Sequence, residues 1–244
     1  MIGEVAVQEK SWKKVSTQRG SPELRKLLNA WVAVIERYTS SFDDNPWWYN
    51  ERAILSTLAG AAWTLDGWVA LEEFTTVKRL RTLEPGVDHG DKLRNGRCDL
   101  YVRAPKISFA FEAKQATQSI GRRSDGASYT LQARKAAWDD IGDVQAHEAD
   151  CRFAATFVVP TIPLSEIFPP GGKLGEICTD KVVSLIKAWL EDVLGCIGPL
   201  SKYRDFAFIF PSLGTAEYFS NGRYYPGVVL VLEERLRATR RFAT

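Results

Sequence analysis

The sequence predicts an α/β protein built on one central mixed β-sheet with helices on its faces. Three observations predict it. Helix-period and strand-period stretches alternate, in the order helix, strand, strand, strand, helix, strand over about residues 45–160. Two short runs, Ile107–Phe111 and Phe153–Val159, are apolar enough to be buried strands. Hydrophobic residues make up 45% and charged residues 25% of the 244, which provides for a sizeable core and argues against long disorder.

Taken in order, Ser21-Pro22-Glu23 opens a helix whose apolar positions are Leu27, Leu28, Trp31, Val32, Val34 and Ile35. Residues 1–44 are therefore expected to form a helical addition. Asn45 reads as the N-cap of a second helix, with Pro46 at its first position, where a missing N–H costs nothing. That helix should run to about Leu65. Gly67 breaks it, and Trp68–Val77 reads as a strand. Pro85, Gly86, Gly90, Asn95 and Gly96 mark 82–96 as a polar loop. Strands follow at about 97–103 and 107–114, joined by the turn Ala104-Pro105-Lys106. A polar connection, 115–127, leads to a helix at about 128–148, with Leu131, Trp138, Ile141 and Val144 near one face. Phe153–Val159 is a strand ended by Pro160. A helix at about 180–197 and strands near 205–210 and 227–233 complete the sheet. The chain reads as one domain, 1–244: the N-terminal addition, a core over 45–160, and a C-terminal extension over 161–244.

No run approaches the roughly 18 apolar residues of a membrane span, and Glu4, Glu9 and Lys10 do not fit a secretory leader. Cys98, Cys151, Cys178 and Cys196 are far apart and form no Cys-x-x-Cys pair, which suits buried thiols in a reducing cytoplasm. His89 and His147 have no metal-ligand spacing. The net charge of +2 conceals an asymmetry: residues 78–135 hold 13 basic and 6 acidic side chains, a net of +7. Clustered cations of this kind attract phosphates.

The chemistry concentrates in that segment. The apolar strand from Ile107 delivers Glu112-Ala113-Lys114, and alternation puts Glu112 and Lys114 on one face. A hairpin brings Asp99 from the preceding strand close to them. Two carboxylates that close repel, and a divalent cation with a preference for oxygen relieves the conflict. The cation polarises a phosphoryl oxygen and lowers the pKa of its bound water, while the lysine holds that water and offsets developing charge.

These residues resemble the motif of the PD-(D/E)XK, or restriction-endonuclease-like, superfamily: an acid on the second core strand and Glu-x-Lys on the third. The helix, three strands, helix, strand order also resembles that family's core, over about residues 46–160. Cys98 stands where the family often has proline. The resemblance implies Mg²⁺, with Mn²⁺ as the alternative, held by Asp99, Glu112 and the Ala113 carbonyl, with Lys114 catalytic. Many members add an acid from the first core helix, and Glu51 is the candidate. It precedes Ile54, Leu55 and Leu58 by three, four and seven residues, so it shares their inward stripe. Reaching water from the edge of the stripe, or pairing with Arg52 or Arg97, is its structural alternative.

Lys92, Arg94, Arg97, Arg122 and Arg123 flank the motif in sequence and are placed to meet phosphates. Gln132 and Lys135 on the next helix, with Arg134 beside them, and Gln115 after the motif are further candidates for substrate contact. Trp47 and Trp48 offer rings on which bases could stack, but at the start of a helix that also carries Trp63 they are expected to pack in the core. The expected function is hydrolysis of phosphodiester bonds in nucleic acid, DNA favoured, in restriction, defence or repair. Cutting both strands symmetrically would call for a homodimer or other homo-oligomer. Two other functions fit the same fold: a nucleic-acid-binding or assembly module without catalysis, and a metal-dependent hydrolase of RNA or nucleotides.

Overall fold

The computed structural model describes residues 11–18, 21–79, 93–122, 124, 126–168, 177–191, 200–211 and 218–236. The sheet contains β1 (Ser11–Ser16), β2 (Val69–Arg79), β3 (Leu93–Arg103), β4 (Ser108–Ser119), β5 (Cys151–Pro163), β6 (Arg204–Pro211) and β9 (Val228–Glu234). A small hairpin, β7 (Phe219–Ser220) and β8 (Arg223–Tyr224), attaches to the end of β5. The helices are α1 (Pro22–Phe42), α2 (Glu51–Trp63), α3 (Ser128–Asp143), the single turn α4 (Leu164–Ile167) and α5 (Thr179–Glu191). Strand order is β1-β6-β9-β5-β4-β3-β2. Every neighbouring pair in that order is antiparallel except β4 and β5, which run parallel and are joined by α3. The sheet is therefore mixed, as the sequence predicts.

Side-chain alternation along β4 divides the core into two layers. Phe109, Phe111 and Ala113 belong to the large apolar cluster that holds Leu28, Trp31 and Ile35 of α1 and Ile54 and Leu58 of α2. Ala110 packs on the other face with Ala137 and Ile141 of α3. Glu112 and Lys114 have the parity of Ala110, so they belong to the α3 face.

Several elements differ from the sequence reading. Residues 1–44 are not purely helical, because β1 pairs with β6 at the edge of the sheet before α1 begins. Asn45 stands at the N-cap position with Pro46 first, but of a 3₁₀ turn and not of the long helix expected, and its side chain makes no capping bond. Pro46–Trp48 is one isolated 3₁₀ turn, and the chain re-aims at Tyr49. Asn50 then caps α2 by accepting the Ala53 N–H at 3.0 Å. This break lets Trp47 bury, with its Nε1 donating to the Tyr225 carbonyl. Trp48 stacks on Tyr225 at the surface and Trp63 is exposed, so core packing holds for Trp47 alone. β3 starts at Leu93, which takes 93–96 out of the expected loop, and β4 continues to Ser119. Residues 80–92 lie outside the described residues.

Pro160 does not end β5. It pairs opposite Gln118 in the gap between the β9 ladder, which stops at Val158, and the β8 ladder, which starts at Ile162. A missing N–H breaks no ladder there. α3 stops at Asp143; of the expected inward residues Ile141 and Val144 are buried and Trp138 packs against their cluster, but Leu131 is exposed, and Thr130, Arg134 and Ala137 are buried instead. Arg134 sits in the core because Glu233 of β9 neutralises it through two hydrogen bonds, at 3.0 and 2.8 Å. It therefore offers nothing to a phosphate. Among the described residues no helix is long and apolar enough to cross a membrane.

Candidate metal and phosphodiester site

The site forms where the sheet's own hydrogen bonding opens. The β3–β4 ladder runs from Arg103↔Ser108 to Leu100↔Phe111 and ends there. The β2–β3 register pairs Leu100 with Glu72 and Cys98 with Phe74, but includes no pair for Asp99. Opposite it, Glu73 has a left-handed φ of 52°. Cys98 packs in the α3-side cluster and Leu100 in the other. Residues two apart on a regular strand share a face, so alternation slips at Asp99. Irregularities of this kind re-aim a side chain.

The re-aimed side chain fills the opening. Asp99 Oδ2 accepts the Ala113 N–H at 2.8 Å, and Glu51 Oε2, from the first turn of α2, accepts the Gln115 N–H at 3.1 Å. N–H groups two residues apart on a strand face the same edge. Two carboxylates thus continue the edge of β4 after the backbone ladder has stopped. Glu51 takes neither Arg52 nor Arg97 as its partner, because both arginines pair with Glu73.

On the α3 face, Lys114 Nζ donates to the Ala113 carbonyl at 3.0 Å and pairs with Asp140 of α3 at 2.9 Å. Glu112 is buried, and its Oε1 lies 2.6 Å from Nζ of Lys78 on β2. The Lys78 stem passes over Gly96, where an added Cβ would come within 2.9 Å of its Cδ. Glycine at 96 makes that path possible. Asp140 and Lys78 are site residues that the sequence reading missed. Each reaches the centre from a different element than its partner, Lys78 from β2 and Asp140 from α3, and neither belongs to a local motif.

The electrostatics record the crowding. Burial first, and then the nearby Asp99 charge, raise the Glu112 carboxyl to about 7 despite Lys78. Burial likewise raises Glu51, with Asp99 and Asp140 adding to it and Lys114 opposing. Burial alone would lower Lys114, but Asp140, Glu51 and Asp99 outweigh it, so its ammonium is held above the ordinary lysine value. Cys98 is pushed to about 12, mainly by burial, which makes it an inert thiol.

Lys78→Met is expected to cost about 3 kcal/mol of stability at pH 8, because it leaves the Glu112 charge uncompensated. The cost should shrink toward pH 5, where Glu112 carries a proton. Urea unfolding at the two pH values measures this, and an equal loss at both would reduce Lys78 to packing.

The chain matches no protein-family model, no curated protein and no solved structure. The functional reading therefore rests on this geometry.

Among the described residues, no three His, Cys, Asp or Glu side chains form a ready-made metal cluster. The set at the opening is different in kind: two carboxylates, Asp99 and Glu112, and the main-chain carbonyl of Ala113. All three are hard oxygen donors of the sort Mg²⁺ or Mn²⁺ takes together with water. Burial, with the Asp99 charge adding to it, holds the Glu112 carboxyl high despite Lys78, and a cation bound between the two carboxylates would oppose that shift. The residues fit a divalent cation.

The outer positions are less concentrated. Arg94, Arg97, Arg122 and Lys135 are exposed, and Arg97 pairs with Glu73 at 3.5 Å. Gln132 lies beside Lys114 and Gln115 on the wall of a cleft. Lys92 and Arg123 lie outside the described residues, as does Cys196.

Proposed function

We propose that this chain is a divalent-metal-dependent nuclease of the PD-(D/E)XK type, hydrolysing phosphodiester bonds in nucleic acid, with DNA as the favoured substrate. The observation that carries this reading is the opening of the β3–β4 ladder, where Asp99 takes the Ala113 N–H next to Glu112 and Lys114. The connectivity supports it: α2, the antiparallel β2–β3–β4 meander, α3 and the parallel β5. This order resembles that of the restriction-endonuclease-like core.

Asp99, Glu112 and the Ala113 carbonyl would hold Mg²⁺, with Glu51 at the margin. When bound, the cation supplies Lewis-acid polarisation of a phosphoryl oxygen and a more acidic water. The protein's own groups do the rest. Lys114, kept protonated by Asp140, is a donor: it orients the attacking water oxygen and offsets charge on the phosphoryl oxygens. Asp140 fixes the lysine's position. Lys78 compensates Glu112 in the metal-free protein. Exposed Arg94, Arg97, Arg122 and Lys135 contribute the long-range attraction for phosphates.

Titration calorimetry tests the ligand set. Asp99→Ala is expected to weaken Mg²⁺ binding by at least about 10–100-fold, since even outer-sphere partners of a metal cost that much. Unchanged affinity would reject Asp99 as a ligand.

A further inference from the structure

Lys78 is a lysine with little access to water. Its side chain is 12% exposed and lies against that of Glu112, which is 3% exposed. Glu112 Oε1 is fully enclosed and has no other polar partner, so the ammonium 2.6 Å away is its counter-charge among the described residues. The fold is arranged for this contact. β3 lies between β2 and β4, and neighbouring strands are about 4.8 Å apart, so the side chain spans roughly 10 Å. It does so over Gly96, where a Cβ would come 2.9 Å from Lys78 Cδ and 3.0 Å from Cγ. The Lys78 backbone is fixed on both edges, by Arg94 of β3 and by a bridge to Val144. A compact ammonium on a flexible stem can fill this place and also leave it.

Glu112 is also one of the two carboxylates offered to a metal. An ammonium and a divalent cation on one carboxylate repel each other, and at partial burial salt screens that repulsion little. The other carboxylate is not so encumbered. Asp99 accepts the Ala113 N–H and pairs with no lysine or arginine among the described residues. Lys114, the second lysine of the site, is paired with Asp140. The positive charge that opposes a metal at Glu112 itself is therefore that of Lys78.

We infer that Lys78 is a resident cation that a divalent metal displaces from Glu112, and that this lysine sets the metal concentration at which the site fills. In the metal-free protein the ammonium holds the buried oxygen. Loading the site turns the stem away over Gly96 and leaves the carboxylate to the metal. The inference rests on the reading of Asp99, Glu112 and the Ala113 carbonyl as metal ligands, and it requires no cleavage.

Calorimetric titration of Mg²⁺ into the purified chain, at pH 8 and one salt concentration, tests the exchange without nucleic acid. Lys78→Met should bind Mg²⁺ about tenfold more tightly than the wild type, as expected when a unit charge close to the cation is removed. Gly96→Ala keeps the lysine and its charge but puts a methyl group in the path of the stem. It should tighten binding by a smaller factor, and it carries the test if Lys78→Met does not fold. Unchanged affinity in both variants would overturn the inference. Weaker binding by Lys78→Met would overturn it too, because Lys78 would then hold Glu112 in place for the metal. Tightening by Lys78→Met alone would reduce Lys78 to a charge acting at a distance, and the exchange would fall. No Mg²⁺ uptake by any of the three proteins would remove the ligand assignment and the inference together. The nuclease reading fails separately: a chain that shows both shifts and cuts no nucleic acid in Mg²⁺ keeps the exchange and loses the catalysis.

Discussion

Replacing Lys114 by alanine is expected to lower the cleavage rate by about 10²–10³-fold or more, the size of effect seen when one preorganised donor to developing charge is removed. The fold should survive. Lys114 is half-buried, its ionic partner Asp140 is about one-third exposed, and the strand beneath is held by the ladder to β5 on one edge and by Asp99 and Glu51 on the other. Circular dichroism and thermal melting check the fold, and single-turnover cleavage checks the rate. The loss should fall on kcat with little change in KM, because the proposed phosphate attraction is that of the surface arginines. Near-normal kcat in a folded variant would remove Lys114 from the reaction.

The second large effect is on the pH dependence of stability. Glu112 has an ordinary carboxyl value of 4.5 and stands at about 7 in the folded protein. The folded state therefore binds the proton more tightly than the unfolded state. Its contribution is complete below about pH 4.5 and is lost as pH rises through 7, a fall of about 3 kcal/mol in the metal-free protein. Glu112→Gln should flatten that fall and abolish cleavage together. Mg²⁺ should restore wild-type stability at pH 8, by binding the folded state alone, and should do nothing for the glutamine variant. Urea unfolding from pH 5 to 8, with and without Mg²⁺, measures all of this. A wild-type curve that stays flat without metal would contradict the crowded-carboxylate account.

Both effects depend on residues of very different legibility. Asp99, Glu112 and Lys114 could be found in sequence because an apolar run ending in Glu-x-Lys is a local pattern, and alternation alone places its two charges on one face. The mixed sheet was legible for the same reason. Glu51 was legible as an inward-facing acid. Its cap was not, because Asn45-Pro46 and Asn50-Glu51 are both plausible helix starts and only the burial of Trp47 decides between them. Lys78 and Asp140 could not be read locally. Lys78 reaches Glu112 across β3 over a glycine, and Asp140 reaches Lys114 from a helix whose first turns the apolar pattern misread at Leu131. Arg134 takes the inward place beside it, a charged residue that its pairing with the distant Glu233 makes tolerable in the core. β1 escaped for a simpler reason: in Ser11–Ser16 only Trp12 is buried, which is too little alternation to signal a strand.

The central claim is that the opening between β3 and β4 is a metal-dependent phosphodiester site. Its most direct test is cleavage of plasmid DNA, single-stranded DNA and RNA by the purified chain in Mg²⁺ and in EDTA, with Lys114→Ala alongside. The account predicts DNA cleavage in Mg²⁺, none in EDTA, and none above background from the variant. Cleavage that persists in EDTA, or that Lys114→Ala retains in full, would contradict it, as would a folded, Mg²⁺-loaded protein that cuts none of the three.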